Sequence, residues 1–275
     1  MSSQTEKALQ FRQLHRGPRA LVLANVWDVA SARIIAAAGF PALATTSAGI
    51  AFSLGYPDGQ KISPEEMIAR IARIARAVDL PVSADIEAGY GRTPEDAART
   101  TRALIDAGAI GMNLEDRTGD SDRSLLEIPV AVEKIKAVRV VAAEMRVPIV
   151  VNARTDVYLQ GAGDPKIQYP EALRRLLAYR DAGADCVFAP GVTDPETIGR
   201  LVKDLQCPVN ILAMPGSPTI PELEALGVAR VSLGSGPMRA TLGLLVRMAE
   251  ELKASGTYSA LDSGVPHAEM NKMLA

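Results

Sequence analysis

Hydrophobic and polar positions follow two alternating rhythms along this chain. Short, almost continuous aliphatic runs recur eight times: LVLANV (21–26), ALATT (42–46), VSADIE (82–87), GMNLED (111–116), IVVNART (149–155), CVFAPG (186–191), VNILA (209–213) and RVSLG (230–234). Runs of this length without regular polar alternation mark strands buried on both faces. Between them the apolar period lengthens. In PEEMIARIARIARAV (64–78), Met67, Ile68, Ile71, Ile74, Ala75 and Val78 recur at i, i+3, i+4 and i+7, the stripe of an amphipathic helix. Ser63 before Pro64 is a helix N-cap followed by proline at the first helical position, and Thr93-Pro94 and Asp194-Pro195 repeat the device. The helix-to-strand joints also share a phrase: AAAGF (36–40), DAGAI (106–110), DAGAD (181–185) and EALGV (224–228). Their glycines supply the left-handed turn that closes a helix, and the next strand starts directly after.

Strand–helix units in series with short connections imply parallel strands joined by right-handed crossovers. Eight such units in about 240 residues predict an α/β fold, a closed (β/α)8 barrel of the TIM type. A doubly wound open sheet is the alternative, usually with fewer strands. No linker or shift of composition interrupts the pattern, so a single barrel domain is expected over residues 1–275. After a last barrel helix near 237–254 come SGTYSALDSGVP and HAEMNKMLA, a helical tail over 255–275 that a closed barrel does not need. It carries Leu261, Val265, Met270, Met273 and Leu274, apolar groups that cover the barrel bottom, fray, or pack on a neighbouring subunit; the expectation adopted is a homo-oligomer contact.

Composition narrows the class of function. With 48% hydrophobic but only 4% aromatic residues, the core must be built from Ala, Val, Leu and Ile. The 30 basic and 32 acidic residues nearly cancel, which gives no electrostatic basis for binding nucleic acid or a membrane surface. No apolar run reaches the roughly 18 residues needed to span a bilayer. The opening MSSQTEKALQ lacks the apolar core of a signal peptide, so a cytoplasmic protein is expected. Two cysteines make no disulfide framework; Cys186, inside an aliphatic run, reads as a buried core thiol, and Cys207 before Pro208 reads the same way. His15 and His267 fall outside the strands and read as surface residues.

In a barrel of this kind the catalytic groups sit at the C-terminal ends of the strands and in the loops that follow. Polar residues concentrate there: Asn25 and Asp28; TTSAG (45–49), then Asp58 on a long loop; Asp85 and Glu87; Asn113, Glu115 and Asp116; Asn152, Arg154 and Asp156. The last three strands end in apolar, Gly or Pro residues instead. Asp85 and Glu87 are two apart, so in a strand they project to one face. Two like charges converging there repel unless a cation sits between them or one is protonated. Oxygen ligands without nearby His or Cys suit Mg²⁺ or Mn²⁺ rather than Zn²⁺. The plainer alternative is an Asp that caps the loop and a Glu in a surface ion pair. Arg154 reads as an anion clamp, with an ion pair to Asp156 as its alternative. The small residues at 47–49 (SAG) either form a simple turn or leave backbone N–H groups open to a carboxylate or phosphate oxygen. Asp28 reads as the N-cap of the first barrel helix.

TTSAG, YPDG with Asp58, ADIEAGYG, NLED and NARTD, in this order and spacing, resemble the isocitrate lyase / phosphoenolpyruvate mutase superfamily, and the likeness covers roughly residues 21–247. The resemblance implies a (β/α)8 barrel that binds Mg²⁺, with Mn²⁺ as a substitute, and acts on a small-molecule 2-oxo acid or its enolate. It also implies a bond made or broken, C–C or P–C, next to the 2-oxo acid unit. A tetramer follows too, a dimer of dimers in which a C-terminal helix is exchanged between paired subunits. On this likeness the metal falls to Asp85, Glu87 and Glu115, and the carboxylate clamp to Ser47, the backbone of Ala48 and Gly49, and Arg154. Thr46, Asn152 and Asp85 complete the substrate-binding set, and Asp58, Glu115 and Arg154 the catalytic one.

Two departures bear on the reaction. The family motif more often reads DADTGYG, whereas this chain has Ile86, Glu87 and Ala88. The well-known lyases of the family carry a Lys-Cys-Gly-His segment whose Cys is the acid/base. The corresponding loop here, RTGDSDRSLLEI (117–128), has no Cys, Lys or His, and it also lacks the Lys-Thr-Asn of the phosphonate mutases. An isocitrate or methylisocitrate lyase is therefore not expected. The expected function is a Mg²⁺-dependent lyase or decarboxylase forming a 2-oxo acid enolate. The alternatives are phosphonopyruvate hydrolase or mutase chemistry, for which the loop offers only Arg117 and Arg123, and a non-catalytic protein that binds a 2-oxo dicarboxylate. Asp58, Glu115 and a metal-bound water are the candidates for the missing proton carrier, with Asp120, Ser121 and Arg123 as loop residues for binding.

Overall fold

The computed structural model describes residues 3–117, 125–159 and 164–275. Within them, nine strands form one parallel sheet, each followed by helical structure save where two strands share one chain segment. The strands are β1 (Leu21–Leu23), β2 (Asn25–Val26), β3 (Leu43–Thr45), β4 (Val82–Asp85), β5 (Gly111–Glu115), β6 (Val150–Arg154), β7 (Cys186–Phe188), β8 (Val209–Leu212) and β9 (Arg230–Ser232). They are ordered β1-β9-β8-β7-β6-β5-β4-β3-β2. Ala24 alone separates β1 from β2, and the first pairs with β9 while the second pairs with β3. The two ends of the sheet are thus one stretch of chain, and the sheet curls into a nearly closed barrel. The aliphatic run at 21–26, expected as one strand, divides because stagger around a barrel matches its two halves to different neighbours. The α/β barrel predicted from the sequence is the fold observed.

Helices α2 (Val29–Ala37), α3 (Ser47–Ser53), α4 (Pro64–Ala77), α5 (Pro94–Asp106), α6 (Ile128–Glu144), α7 (Pro165–Asp181), α8 (Pro195–Leu205), α9 (Ile220–Ala225) and α10 (Gly236–Ser255) surround it. Their ends are written locally. Asp28, Ser63, Thr93 and Asp194 each accept a backbone N–H at a helix start, which satisfies donors that the helix leaves open. Gly39, Gly108, Gly183 and Gly227 close helices with φ between +83° and +108°, as the repeated phrase predicts.

Strand alternation sorts the side chains. Ala84, Met112, Leu114, Val151 and Ala153 join the aliphatic core, while Asp85, Asn113 and Asn152 stand in register across three neighbouring strands. Asn152 donates to Asn113 at 2.8 Å, and Arg230 reaches Asn113 from β9 at 3.3 Å. Strands β9 and β5 are not neighbours, so this last contact crosses the barrel interior. The interior is polar well below the C-terminal ends of the strands.

A helix that the pattern did not announce, α1 (Gln4–Leu14), lies against the N-terminal ends of the strands. It buries only Ala8 and Phe11, too few for a periodic stripe, and is started by a reciprocal Ser3–Glu6 cap. A Cβ on Gly111 would come within 3.0 Å of the Phe11 ring, tighter than ordinary contact, so glycine as the first residue of β5 lets α1 dock closely there. This helix corrects the placement of His15, which is buried rather than on the surface. Its Nδ1–H donates to the Phe11 carbonyl at 2.8 Å, and its ring stands edge-on to Phe11. Burial, then the charge of Arg230, holds its pKa down to about 4. Below pH 6.5 the unfolded chain takes up a proton that the folded chain refuses, so stability should fall by on the order of 3 kcal/mol between pH 6.5 and 4. Urea titrations across that range are expected to show a flatter acid limb in His15→Phe than in the parent. Equal slopes would mean that other groups carry the acid sensitivity.

Cys186 is a buried core thiol, as expected, with burial pushing its pKa up to about 12; Cys207 is half-buried. The tail ends in α11 (His267–Leu274), which packs on α2 of the same chain, with Arg33 bonded to the Leu274 carbonyl. Leu245, Val246, Leu252, Tyr258, Leu261 and Val265 remain exposed along α10 and the tail. No helix among the described residues is long and apolar enough to cross a membrane.

Candidate active site

The C-terminal ends of β3 to β6 bring four acidic residues and one arginine together. Asp85 ends β4, where its Oδ2 accepts from the backbone N–H and the hydroxyl of Ser47, at 3.1 and 2.8 Å. Its own N–H donates to Thr45 Oγ1 at 3.0 Å. Asp85 Oδ1 is buried and has no hydrogen-bond partner among the described residues. Two residues on, Glu87 holds φ +53°, and its Oε2 accepts from the backbone N–H of Gln60 at 2.7 Å. Its carbonyl accepts from the N–H of Glu115 at 3.0 Å, which ties the two acidic positions into one ledge.

Glu115 and Arg154 are register partners at the ends of β5 and β6, and their side chains pair at 2.9 Å. Arg154 also grips Asp156 with two nitrogens, one of the contacts at 2.9 Å. The ion pair to Asp156, the alternative to an anion clamp, is therefore realised, and Glu115 adds a second partner. Beneath it, Asp116 accepts from Thr155 Oγ1 and Tyr179 Oη at 2.7 Å, from the Asp156 N–H at 3.0 Å and from Arg175 at 3.2 Å. This buried network fixes the backbone that presents Arg154 and Asp156. The sequence signal for it was an arginine and a tyrosine four apart in α7, which periodicity alone does not separate from a solvated face.

The remaining expected residues fall as follows. Thr46 is the N-cap of α3, and its Oγ1 accepts from the Gly49 N–H at 3.2 Å, so that amide serves the helix start. The Ser47 amide and hydroxyl serve Asp85 rather than standing open to an anion. Ala48 follows on the same first turn. Asn152 is fully buried in the barrel interior beside Asn113. Asp58 lies exposed on the loop between α3 and α4. Asp120, Ser121 and Arg123 lie outside the described residues.

Crowding of carboxylates dominates the electrostatics. Burial above all, then Asp58 and Asp85, pushes the Glu87 carboxyl up to about 8. Burial likewise drives Glu115 upward, against the pull of Arg154 and with Asp156, Asp85 and Glu87 adding to it. Asp58 is pushed the same way by its surroundings and by Asp85, although its open position lets water screen the effect. For Arg154 burial works against the charge, and Glu115 and Asp156 outweigh it, so the guanidinium stays cationic. An excess of negative groups around one cationic side chain calls for a proton or a further cation.

A divalent ion fits this donor set in chemistry. Every donor is a hard oxygen, and Asp85 Oδ1 is a buried carboxylate oxygen whose lone pairs meet no donor among the described residues. Among the described residues no three His, Cys, Asp or Glu side chains already converge on one position. Mg²⁺ is commonly bound through one or two carboxylates and keeps several waters, so a site for it does not require three converging side chains.

Comparison with known proteins places the chain in a family. A family model described as phosphoenolpyruvate phosphomutase matches residues 11–253. A crystal structure from Burkholderia cenocepacia J2315, provisionally assigned as a lyase/mutase, superposes with a TM-score of 0.93 at 41% identity, covering 99% of this chain and 96% of that one. The 2-methylisocitrate lyase of Bacillus subtilis (strain 168) is 31% identical over 214 residues, 76% of this chain and 67% of the relative. The oxaloacetate decarboxylase of Pseudomonas fluorescens (strain SBW25) is 29% identical over 235 residues, 82% of this chain and 78% of its own. With the model spanning most of the barrel and lyase and decarboxylase relatives matching across it, this chain belongs to the isocitrate lyase / phosphoenolpyruvate mutase superfamily.

Proposed function

We propose that the protein is a Mg²⁺-dependent enzyme, able to use Mn²⁺, that acts on a 2-oxo carboxylic acid through its enolate, by C–C bond lysis or decarboxylation. The observation that carries this reading is Asp85: one oxygen is locked by Ser47 and the other is buried without a partner among the described residues, beside a paired Glu115 and Arg154. Asp85 would hold the ion directly, with Glu87 and Glu115 binding through its water. When bound, Mg²⁺ supplies Lewis-acid stabilisation for the negative charge that builds on the enolate oxygen.

The chain's own residues do the rest. Arg154, with its Nη1, Nη2 and Nε already oriented by Glu115 and Asp156, presents a fixed cation to the substrate carboxylate. Ser47 keeps Asp85 in one rotamer rather than binding substrate itself. Asp58, exposed and in no ion pair among the described residues, is the proton carrier in this reading, in place of the loop cysteine that the chain lacks. The enzyme would work as a homo-oligomer, a dimer of dimers, a reading supported by the exposed apolar residues on α10 and the tail.

Oxaloacetate, 2-alkylmalates and phosphonopyruvate, each assayed with Mg²⁺ for release of pyruvate or of a smaller 2-oxo acid, test the proposal. Metal-dependent turnover of either carbon substrate, lost on adding EDTA, is the expected result. Turnover of phosphonopyruvate alone would move the assignment to P–C chemistry, where Arg117, 3.7 Å from Asp156, becomes the relevant cation. Tight binding of oxalate without any turnover would make it a binding protein.

A further inference from the structure

Helix α6 turns an apolar stripe toward the barrel, with Ala131, Ile135, Val138, Val141 and Ala142 all buried. Lys134 stands in that same stripe, three residues after Ala131, and is 1% exposed. An ammonium group in such a position carries a desolvation cost that a Met or Leu would not, so it needs specific acceptors. Its acceptors are two backbone carbonyls, those of Ala88 and of Gly91, the latter at 2.7 Å.

Those carbonyls belong to the turn that carries Glu87. Glu87 (φ +53°), Gly89 (+85°), Tyr90 (+54°) and Gly91 (+153°) all have positive φ within five residues. Two of them bear a Cβ, and side chains hold that conformation only where the surroundings over-determine it. Inside the turn the Gly89 N–H bonds the Ile86 carbonyl at 2.9 Å. From outside, Thr100 donates to the Gly89 carbonyl, and Lys134 holds the two carbonyls on either side of it. We infer that Lys134 is a positioning residue: it fixes the turn at 86–91 and so sets the Glu87 carboxylate within the acidic cluster. The consequence for metal binding rests on the proposed function; the restraint on the turn does not.

Lys134→Met keeps the length and fills the stripe while removing every N–H donor, and Lys134→Gln keeps two. Hydrogen exchange on the full-length protein reads the turn directly, and Mn²⁺ titration reads the cluster. In Lys134→Met, exchange over residues 86–91 is expected to speed up while the helices keep their protection, and Mn²⁺ affinity to fall about tenfold or more. Lys134→Gln should lie between this variant and the parent in both. Unchanged exchange at 86–91, or a uniform rise across the barrel, would overturn the inference. A loosened turn with undiminished Mn²⁺ affinity would overturn its link to the cluster. Should the parent itself bind no divalent ion, the proposed function fails, and the exchange at 86–91 still decides the role of Lys134.

Discussion

Asp85→Ala is expected to abolish turnover and divalent-ion binding while leaving the barrel folded. Among the described carboxylates Asp85 combines a locked oxygen with a buried, unpartnered one, so removing it deletes the group that the ion would contact directly. A Lewis acid at a developing enolate is worth several kcal/mol of barrier, so turnover should drop by about a thousandfold or more. Stability should move little or rise, because Glu87 and Glu115 lose a like-charged neighbour that pushes both carboxyls upward. The cost on the other side is the Ser47 N–H and hydroxyl left without their acceptor, about 1–3 kcal/mol. Asp85→Asn, which keeps an oxygen for Ser47, separates that cost from the loss of charge. Calorimetric titration with Mn²⁺ and circular dichroism check both halves, and unchanged ion affinity in the folded alanine variant would refute the assignment.

Arg154→Ala is expected to weaken binding of oxalate or pyruvate at least about tenfold, since losing a buried charge-assisted contact costs roughly 2–5 kcal/mol. Unlike the aspartate variant, this one should also destabilise the fold. Glu115 and Asp156 are 6% and 1% exposed; Glu115 loses its partner Arg154, and Asp156 is left with Arg117 at 3.7 Å. The Glu115 carboxyl, already driven upward by burial and held back by Arg154, then rises further, so the folded variant binds more protons than its unfolded chain, and its stability should fall further as pH rises above the ordinary carboxylate range. Arg154→Lys keeps a charge but cannot grip Asp156 with two nitrogens and should recover stability better than binding. Chemical denaturation at several pH values, beside oxalate titration, reads the two effects. Full oxalate affinity in a folded alanine variant would put the carboxylate clamp elsewhere.

Much of the barrel was legible before any coordinates. The aliphatic runs, the capped helix starts at Ser63, Thr93 and Asp194 and the glycines at 39, 108, 183 and 227 are local signals, each decided by residues within a turn or two. Helix α1 was not legible, because it is held by Phe11 docking on Gly111, a contact 100 residues away that no periodicity encodes. His15 was misplaced for the same reason: its burial is a property of that docking. Cys186 was placed well because a residue inside a continuous aliphatic run is buried whatever its neighbours are.

The site divides along the same line. Strand ends and their spacing determine by themselves that Asp85, Glu87, Glu115 and Arg154 stand at one end of a parallel barrel, since alternation and register follow from the chain's own pattern. Which atom of each does what was decided only by tertiary structure. Ser47, expected to face an anion, turns its amide and hydroxyl to Asp85, and the Gly49 amide goes to Thr46. Arg154 meets Glu115 and Asp156 at once, and Lys134, hidden in an apolar stripe, reaches the turn that carries Glu87. Hydrogen bonds are directional and short-ranged, so their pairing depends on distances of a few tenths of an ångström between elements far apart in sequence. Hydrophobic periodicity needs no such precision, and that is why the barrel could be read from the chain and the partners within its site could not.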